Sequence, residues 1–345
     1  MAATYHSVGW TPHKKRYDLF ALGGVVIYLA IFVIGTFVMQ PEATAETTII
    51  RAFGTCAFLL LHIVLSIGPL ARLDTRFLPL LYNRRHLGVM TFFVGLVHGL
   101  FAIVQFHVGG VVNPLVSVFT SNMSYGSIAN FPFQVLGFAA LMILFVMAAT
   151  SHDFWLANLT PPVWKALHML VYVAYGLLVA HVSLGVLQDA RSSVPAMLVG
   201  AGVIWVGALH VAAANRRDDV VGSDAADGFV SVVDVDAIED GRARIVAIGD
   251  QRIAIFRYNG KISAVSNACA HQNGPLGEGR IIDGCVTCPW HGFQYRPECG
   301  RAPEPFTERI PTFAVRVEQG RVFVDPRPNP AGTDVPPATI SGGQA

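Results

Sequence analysis

Four of the five cysteines in this chain fall between residues 267 and 305, and two of them pair with histidines: Cys269-Ala270-His271, sixteen residues, then Cys288-Pro289-Trp290-His291. Two thiolates and two imidazoles on paired loops suit a [2Fe–2S] cluster, with Cys269 and Cys288 on one iron and His271 and His291 on the other. A structural zinc ion draws on the same residue types, but zinc fingers rarely use a one-residue Cys-x-His spacer. Gly274, Gly277, Gly279 and Gly292 would let backbone amides approach the sulfides. Cys285 and Cys299 have no ligand spacing and read as structural, Cys56 reads as packing, and Trp290 and Phe293 read as a cover for the cluster.

A second group of side chains lies in strongly apolar sequence: His62, His86, His98, His168, His181 and His210. Ionisable residues at such positions are costly and are functional candidates by default. Neutral imidazole is the usual axial ligand of a b-type haem. Counted along ideal helices, His98 lies about 20 Å beyond Arg85 and His181 about 25 Å beyond Trp164, so these two can share one haem in the outer half of a membrane. His168, about 6 Å past Trp164, would serve a second, inner haem, with His86 as its partner. His62 and His210 are the other candidates for that partner, while His6, His13, His107 and His152 read as solvated or interfacial.

These side chains need two different frames. Of the 345 residues, 53% are hydrophobic and only 14% charged, whereas soluble domains carry about 25% charged residues. Residues 1–217 hold 12 Lys and Arg against 6 Asp and Glu, and residues 218–345 hold 12 against 17. Six apolar runs, near 19–39, 52–71, 87–106, 132–150, 165–186 and 194–214, are long enough to cross a hydrocarbon core of about 30 Å. The expectation is an α-helical membrane bundle of six transmembrane helices over 1–217. Lys14, Lys15, Arg16, Arg72, Arg76, Arg84, Arg85, Arg216 and Arg217 mark the cytoplasmic ends, which puts both termini and the C-terminal domain in the cytoplasm. Ala43-Thr44-Ala45 resembles a signal-peptide cleavage site, but the preceding run is too long for one and reads as an uncleaved span. The net charge of +1 gives no support to nucleic-acid binding, and the composition excludes a disordered chain. No internal repeat is visible.

After a linker at 218–228, residues 229–325 change to short β-branched runs at 229–233, 244–248, 252–258, 262–266, 313–317 and 321–324, with Asn259-Gly260 as a hairpin turn. This predicts a small antiparallel β domain, with the ligand loops between its strands. Residues 326–345 read as a disordered Pro/Gly tail.

With its NACAHQNGPL and CPWHGFQY segments, the stretch 229–325 resembles the Rieske-type ferredoxin domain, an antiparallel β sandwich carrying cluster-binding loops. Respiratory members of that family have two extra cysteines in a disulfide across the loops. Gly274 and Trp290 stand there instead, in keeping with a reducing compartment. Phe293 replaces a serine that donates to a bridging sulfide, and Tyr295 matches the tyrosine that bonds a ligand sulfur. The resemblance thus implies one cluster with a potential near about −150 mV rather than about +300 mV.

Residues 51–186, with LSIGPLARL, NRRHLG and TPPVWKALHMLVYVAYGLLVAHV, resemble the ferric reductase-like transmembrane domain, and within it the haem-binding membrane subunit of the bacterial methionine sulfoxide reductase system. The matching positions are Arg84, Arg85, Gly88, His98, Trp164, His168, Tyr172 and His181. That implies one or two b-type haems in a bacterial inner membrane. The interval from His168 to His181 is also similar to that in the oxidase branch of the superfamily, where one helix holds a ligand for each of two haems. His86 departs from the subunit's aliphatic residue. The flavin and nicotinamide domain of the oxidase branch has no counterpart, and the β domain takes the place of that electron-input module.

The resulting expectation is a membrane-bound electron-transfer protein. It would pass single electrons between a cytoplasmic reductase or oxygenase, the cluster and the haems, and on to a quinone, ferric or periplasmic acceptor. Two other readings stay open: a quinol-fed haem protein that delivers electrons through the Rieske-like domain to a soluble oxygenase, and a membrane-anchored ferredoxin whose intramembrane histidines are packing.

Overall fold

The computed structural model describes residues 12–81, 83–151, 155, 159, 161–185, 187–188, 193–215, 219–220, 228–271, 273–289 and 292–340. In the unit built on Trp10–Pro69 and Asn83–Val211 the secondary structure is helical. Its long helices are α1 (Pro12–Met39), α2 (Ala45–Leu73), α4 (Arg84–His107), α6 (Phe133–Thr150) and α9 (Val194–Asn215). The fifth crossing, Val163–Leu184, joins α7 (Pro161–Met169) to α8 (Val171–Leu184). Of two short helices, α5 (Pro114–Thr120) belongs to this unit and α3 (Leu78–Leu81) falls outside its bounds. All six crossings coincide with the six apolar runs, and the protein is a multi-pass membrane protein.

Lipid offers no water to polar groups, so hydroxyls in the spans turn back onto their own helices. Thr55 donates to Arg51 O (2.8 Å), Ser66 to His62 O (2.7 Å), Thr91 to Leu87 O (2.8 Å) and Thr150 to Val146 O (2.8 Å). Phe92, Ala140, Leu144 and Ala174 form the seam between α4, α6 and α8. The two alanines there have no exposed surface, which lets the backbones of α6 and α8 approach closely. By contrast α1 keeps Leu19, Phe20, Ile27 and Ile31 exposed, a surface that lipid covers.

The second unit is antiparallel β almost throughout. Its main sheet runs β1 (Asp219–Val220), β3 (Ala243–Ile248), β4 (Gln251–Tyr258), β5 (Lys261–Ser266), β12 (Ala338–Thr339), with β9 (Thr312–Phe313) also on β5. Only the β1–β3 pair is parallel, and it makes part of the expected linker a strand. The β4–β5 hairpin closes at Asn259 (φ 47°) and Gly260 (φ 70°), the two positive-φ residues that a tight I′ turn needs.

Alternate residues of a strand point to opposite faces, and β4 uses both. Ile253 and Ile255 enter a core shared with Val230 of β2 (Val230–Asp234) and Val322 and Val324 of β11 (Arg321–Val324); β10 (Val315–Glu318) completes that three-stranded sheet. Ala254, Phe256 and Tyr258 enter a second core with Cys269, Leu276, Cys288, Phe293 and Tyr295. That face is roofed by a sheet of β6 (Arg280–Ile282), β7 (Cys285–Thr287) and β8 (Gln294–Tyr295). The candidate ligand loops are therefore packed on the hydrophobic core of the domain.

The expectation of a disordered tail from 326 is overturned as far as residue 340, the end of the described segment. Ala338 and Thr339 pair with Ile262 and Lys261, Arg301 Nε donates to Gly332 O (2.7 Å), Val335 N to Glu298 O (2.7 Å) and Thr312 Oγ1 to Thr333 O (3.0 Å). Its Pro-rich composition does not forbid order, because residues 332–335 are held by Arg301, Thr312 and Glu298 and only Ala338–Thr339 add to the β5 edge beside β9. Ending the chain after Asp325 is expected to destabilise the β domain by about 2 kcal/mol, a fall of about 10 °C in its melting transition by calorimetry on detergent-purified protein. An unchanged transition would refute the stabilising role.

Candidate metal and haem sites

Cys269 and Cys288 head two loops of one design. Cys269 N–H donates to Gly274 O (2.9 Å) and Cys269 O accepts from Asn273 N (2.7 Å). Cys288 N–H donates to Phe293 O (2.8 Å) and Cys288 O accepts from Gly292 N (2.9 Å). Each cysteine thus opens a turn closed four and five residues later. Each turn reverses on a residue in the left-handed region, Asn273 (φ 57°) and Gly292 (φ 72°), residue types that tolerate it.

Both cysteines are buried to 1% exposure. Tyr295 Oη lies 3.3 Å from Cys269 Sγ. Burial and the neighbouring Cys269 push the Tyr295 pKa upward, so the phenol stays protonated and donates to a thiolate there, as the resemblance implied. The His271 ring stacks on Phe293 at 4.9 Å and 6°, and Phe293 meets Phe306 edge-on at 5.0 Å. Buried sulfurs on matched turns, with an imidazole beside them, fit an iron–sulfur centre. Trp290 and His291 lie outside the described residues.

Two of the loop glycines have another first duty. A Cβ on Gly279 would collide with the Thr287 carbonyl, and one on Gly277 would meet Ile245 and Ala254, so both are required by packing. Cys285 is half-buried, and burial followed by Glu298 pushes its thiol pKa up, as befits a structural thiol.

In the helices, five imidazoles set Nδ1 against a backbone carbonyl: His98 on Ile50 O (2.9 Å), His181 on Phe133 O (2.8 Å), His62 on Phe58 O (2.8 Å), His168 on Trp164 O (3.0 Å) and His210 on Val206 O (2.8 Å). A carbonyl only accepts, so the proton sits on Nδ1 and Nε2 carries the lone pair that a metal takes. What meets Nε2 then sorts the rings. Tyr175 donates to His62 Nε2 and Tyr172 to His210 Nε2, both at 3.0 Å. His168 Nε2 lies 3.4 Å from Ser151 Oγ, and its ring stacks on Trp164 at 3.7 Å.

His98 and His181 face each other, ring centroids 6.2 Å apart with their planes at 81°. Two metal–imidazole bonds of about 2 Å, plus about 1 Å from each ring centre to its Nε2, span about 6 Å. The two rings therefore fit opposite sides of one iron, as in a haem. His86 has a different partner on its Nδ1, which lies 2.9 Å from both carboxylate oxygens of Asp18 on α1. Asp18 is the only acidic residue in α1, a signal that could have revealed this pair. His107, read above as solvated or interfacial, is 5% exposed and bonds Ser117 Oγ and Gln134 Oε1, each at 2.9 Å. It stands at the last turn of α4, where two other helices close over it.

Comparison with known proteins divides the chain in the same way. The family of the Rieske [2Fe-2S] domain matches residues 228–314, and that of the ferric reductase like transmembrane component matches residues 53–179. The chain is 30% identical over 103 residues to the alkene monooxygenase system ferredoxin component of Xanthobacter autotrophicus, covering 30% of this chain and 84% of that one. It is 35% identical over 163 residues to the protein-methionine-sulfoxide reductase heme-binding subunit of Ralstonia nicotianae, covering 45% of this chain and 70% of that one. It spans only 22% of a cholesterol 7-desaturase of Ciona intestinalis, at 33% identity over 29% of this chain. Among solved structures, the Sphingomonas yanoikuyae B1 ferredoxin is 27% identical, with a TM-score of 0.26 over 28% of this chain and 95% of that one.

One bond in the cluster loops is open to measurement. Replacing Tyr295 by Phe removes the donor to Cys269, and a lost donor leaves the extra negative charge of the reduced state less stabilised. The cluster potential is expected to fall by about 40 mV, the equivalent of about 1 kcal/mol in a one-electron couple, in a redox titration of its paramagnetic signal. A rise would contradict the assignment.

Proposed function

Because this chain belongs to the ferric reductase-like transmembrane family through its helical half and to the Rieske [2Fe–2S] family through its C-terminal half, we propose that it carries single electrons between a cytoplasmic redox partner and an acceptor within or beyond the membrane. In this reading residues 1–217 form the haem-binding part and residues 229–325 the cluster part. Cys269 and Cys288 would hold one iron of the cluster, His271 and His291 the other, and His98 and His181 would be the axial ligands of a b-type haem. The observation that carries the reading is the His98–His181 pair, two rings with centroids 6.2 Å apart inside an apolar bundle, each held through Nδ1 by a backbone carbonyl.

When bound, the cluster and the haem each take up and release one electron at a time. The chain's own work is positional. The Ile50 and Phe133 carbonyls hold each axial ring by its Nδ1 proton, so neither ring can turn its lone pair away. Phe293 and Phe306 wall the cluster loops on the side of His271, and the Tyr295 hydroxyl adjusts the charge on Cys269. The Lys/Arg bias of the loops supports a cytoplasmic location for both termini and the cluster domain in a bacterial inner membrane. The acceptor classes that suit such a path are a quinone, a ferric complex or a periplasmic protein.

A second reading is favoured by the likeness to the ferredoxin component of an alkene monooxygenase system: a quinol-reduced haem feeding a soluble oxygenase through the cluster. The order of potentials separates the two. Redox titration in membranes is expected to place the haem at or above the cluster, and a haem well below it would overturn outward flow. Purified protein is expected to contain iron, acid-labile sulfide and haem. His98→Ala or His181→Ala should each remove the reduced haem band almost completely, while His86→Ala leaves it in place. A haem band that survives both of the first two substitutions would refute the ligand assignment.

A further inference from the structure

The helical half contains a repeat that the sequence does not announce. In one set, His98 Nδ1 donates to Ile50 O, and a Cβ on Gly54 would stand 2.8 Å from that same nitrogen. In the other, His181 Nδ1 donates to Phe133 O, and a Cβ on Gly137 would stand 2.8 Å from it. Acceptor and donor are 48 residues apart in both sets. Every member recurs 83 residues later: Ile50 and Phe133, Gly54 and Gly137, His98 and His181. Two buried pairs share the register, Leu61 with Leu144 and Thr91 with Ala174. Helices α2 and α4 form one copy, α6 and α8 the other.

The glycines have a geometric cause. In an α-helix the carbonyl of residue i points at the N–H of residue i+4. A ring that shares that carbonyl must lie over residue i+4, and any side chain there occupies the ring's place. The obstacle is the pinned imidazole itself, which cannot swing aside without losing its carbonyl. Under the same relation the counterpart of His168 is Arg85.

We infer that the membrane half is a pseudo-repeat whose copies each give one imidazole, His98 and His181, to a haem, and that Gly54 and Gly137 are the positioning residues of those two rings. The inference rests on the haem reading above and deepens it by naming the residues that set the ligand geometry.

The test uses the full chain purified in detergent, with haem quantified by its pyridine adduct, the cluster by its reduced paramagnetic signal, and the ligand field by the low-spin ferric haem signal. Wild type is expected to hold haem and cluster. Gly54→Val and Gly137→Val are each expected to lose haem at least tenfold or to convert it to a high-spin form, with the cluster signal per chain unchanged as the sign of a folded protein. Gly24→Ala and Gly35→Ala, on α1 where an added Cβ meets nothing within 4 Å, are expected to leave every signal as in wild type. If the valine variants do not accumulate, Gly54→Ala and Gly137→Ala carry the comparison, with a shifted low-spin signal expected in each.

Glycine variants with wild-type haem content and an unshifted low-spin signal overturn the inference. A wild type without haem overturns the haem reading itself and this inference with it, whereas a haem-replete wild type with indifferent glycines overturns this inference alone.

Discussion

An imidazole inside a bilayer has one proton to place and no water to receive it, and in this protein backbone carbonyls receive it five times. That single bond fixes the tautomer, fixes the ring's rotation and leaves Nε2 as the only reactive nitrogen. The role of each histidine then depends on its second neighbour. A tyrosine hydroxyl turns His62 and His210 into hydrogen-bonded links between helices, and Asp18 does the same for His86. Only His98 and His181, among the described residues, have each other. They differ from the remaining three carbonyl-bound rings in a further respect. Ile50 and Phe133 belong to other helices, whereas His62, His168 and His210 bond the carbonyl four residues back on their own.

A corresponding economy governs the β domain. The strand β4 is buried on both faces, and its alternation assigns one face to structure and the other to the cluster loops. The cysteines therefore sit on a core that must already be packed for the domain to exist, which is how a small fold holds two loops at a fixed separation without a disulfide across them. The C-terminal segment belongs to the same scheme, since it covers the β5 edge and ties down the turn around Glu298 and Arg301.

Much of this was legible in the chain. Six spans, the Asn259-Gly260 hairpin and the paired Cys and His loops follow from composition, periodicity or spacing, because each depends on residues close together or on a repeated local pattern, and the Tyr295 bond follows from the resemblance to the Rieske-type domain. The misses share a cause. His86 was matched to His168 by depth alone, and depth along a helix says nothing about which neighbour a ring faces. The segment 326–340 was read from its prolines, which limit hydrogen bonding but do not prevent extended pairing along an edge. His107 stands at the end of a span, where position alone suggests an interface, and the next two helices, α5 and α6, bury it.

Residue types and their spacing by themselves determined that this protein is a six-span apolar body joined to a β domain with thiolate and imidazole loops, since hydrophobicity, strand alternation and ligand spacing are local properties of a chain. The tertiary structure alone decided which imidazoles face each other, which are occupied by tyrosine or carboxylate, and why glycine stands at 54 and 137. Those outcomes depend on helices brought together from positions 48 residues apart and more, and the free energy that orients a buried ring comes from the partner that packing supplies.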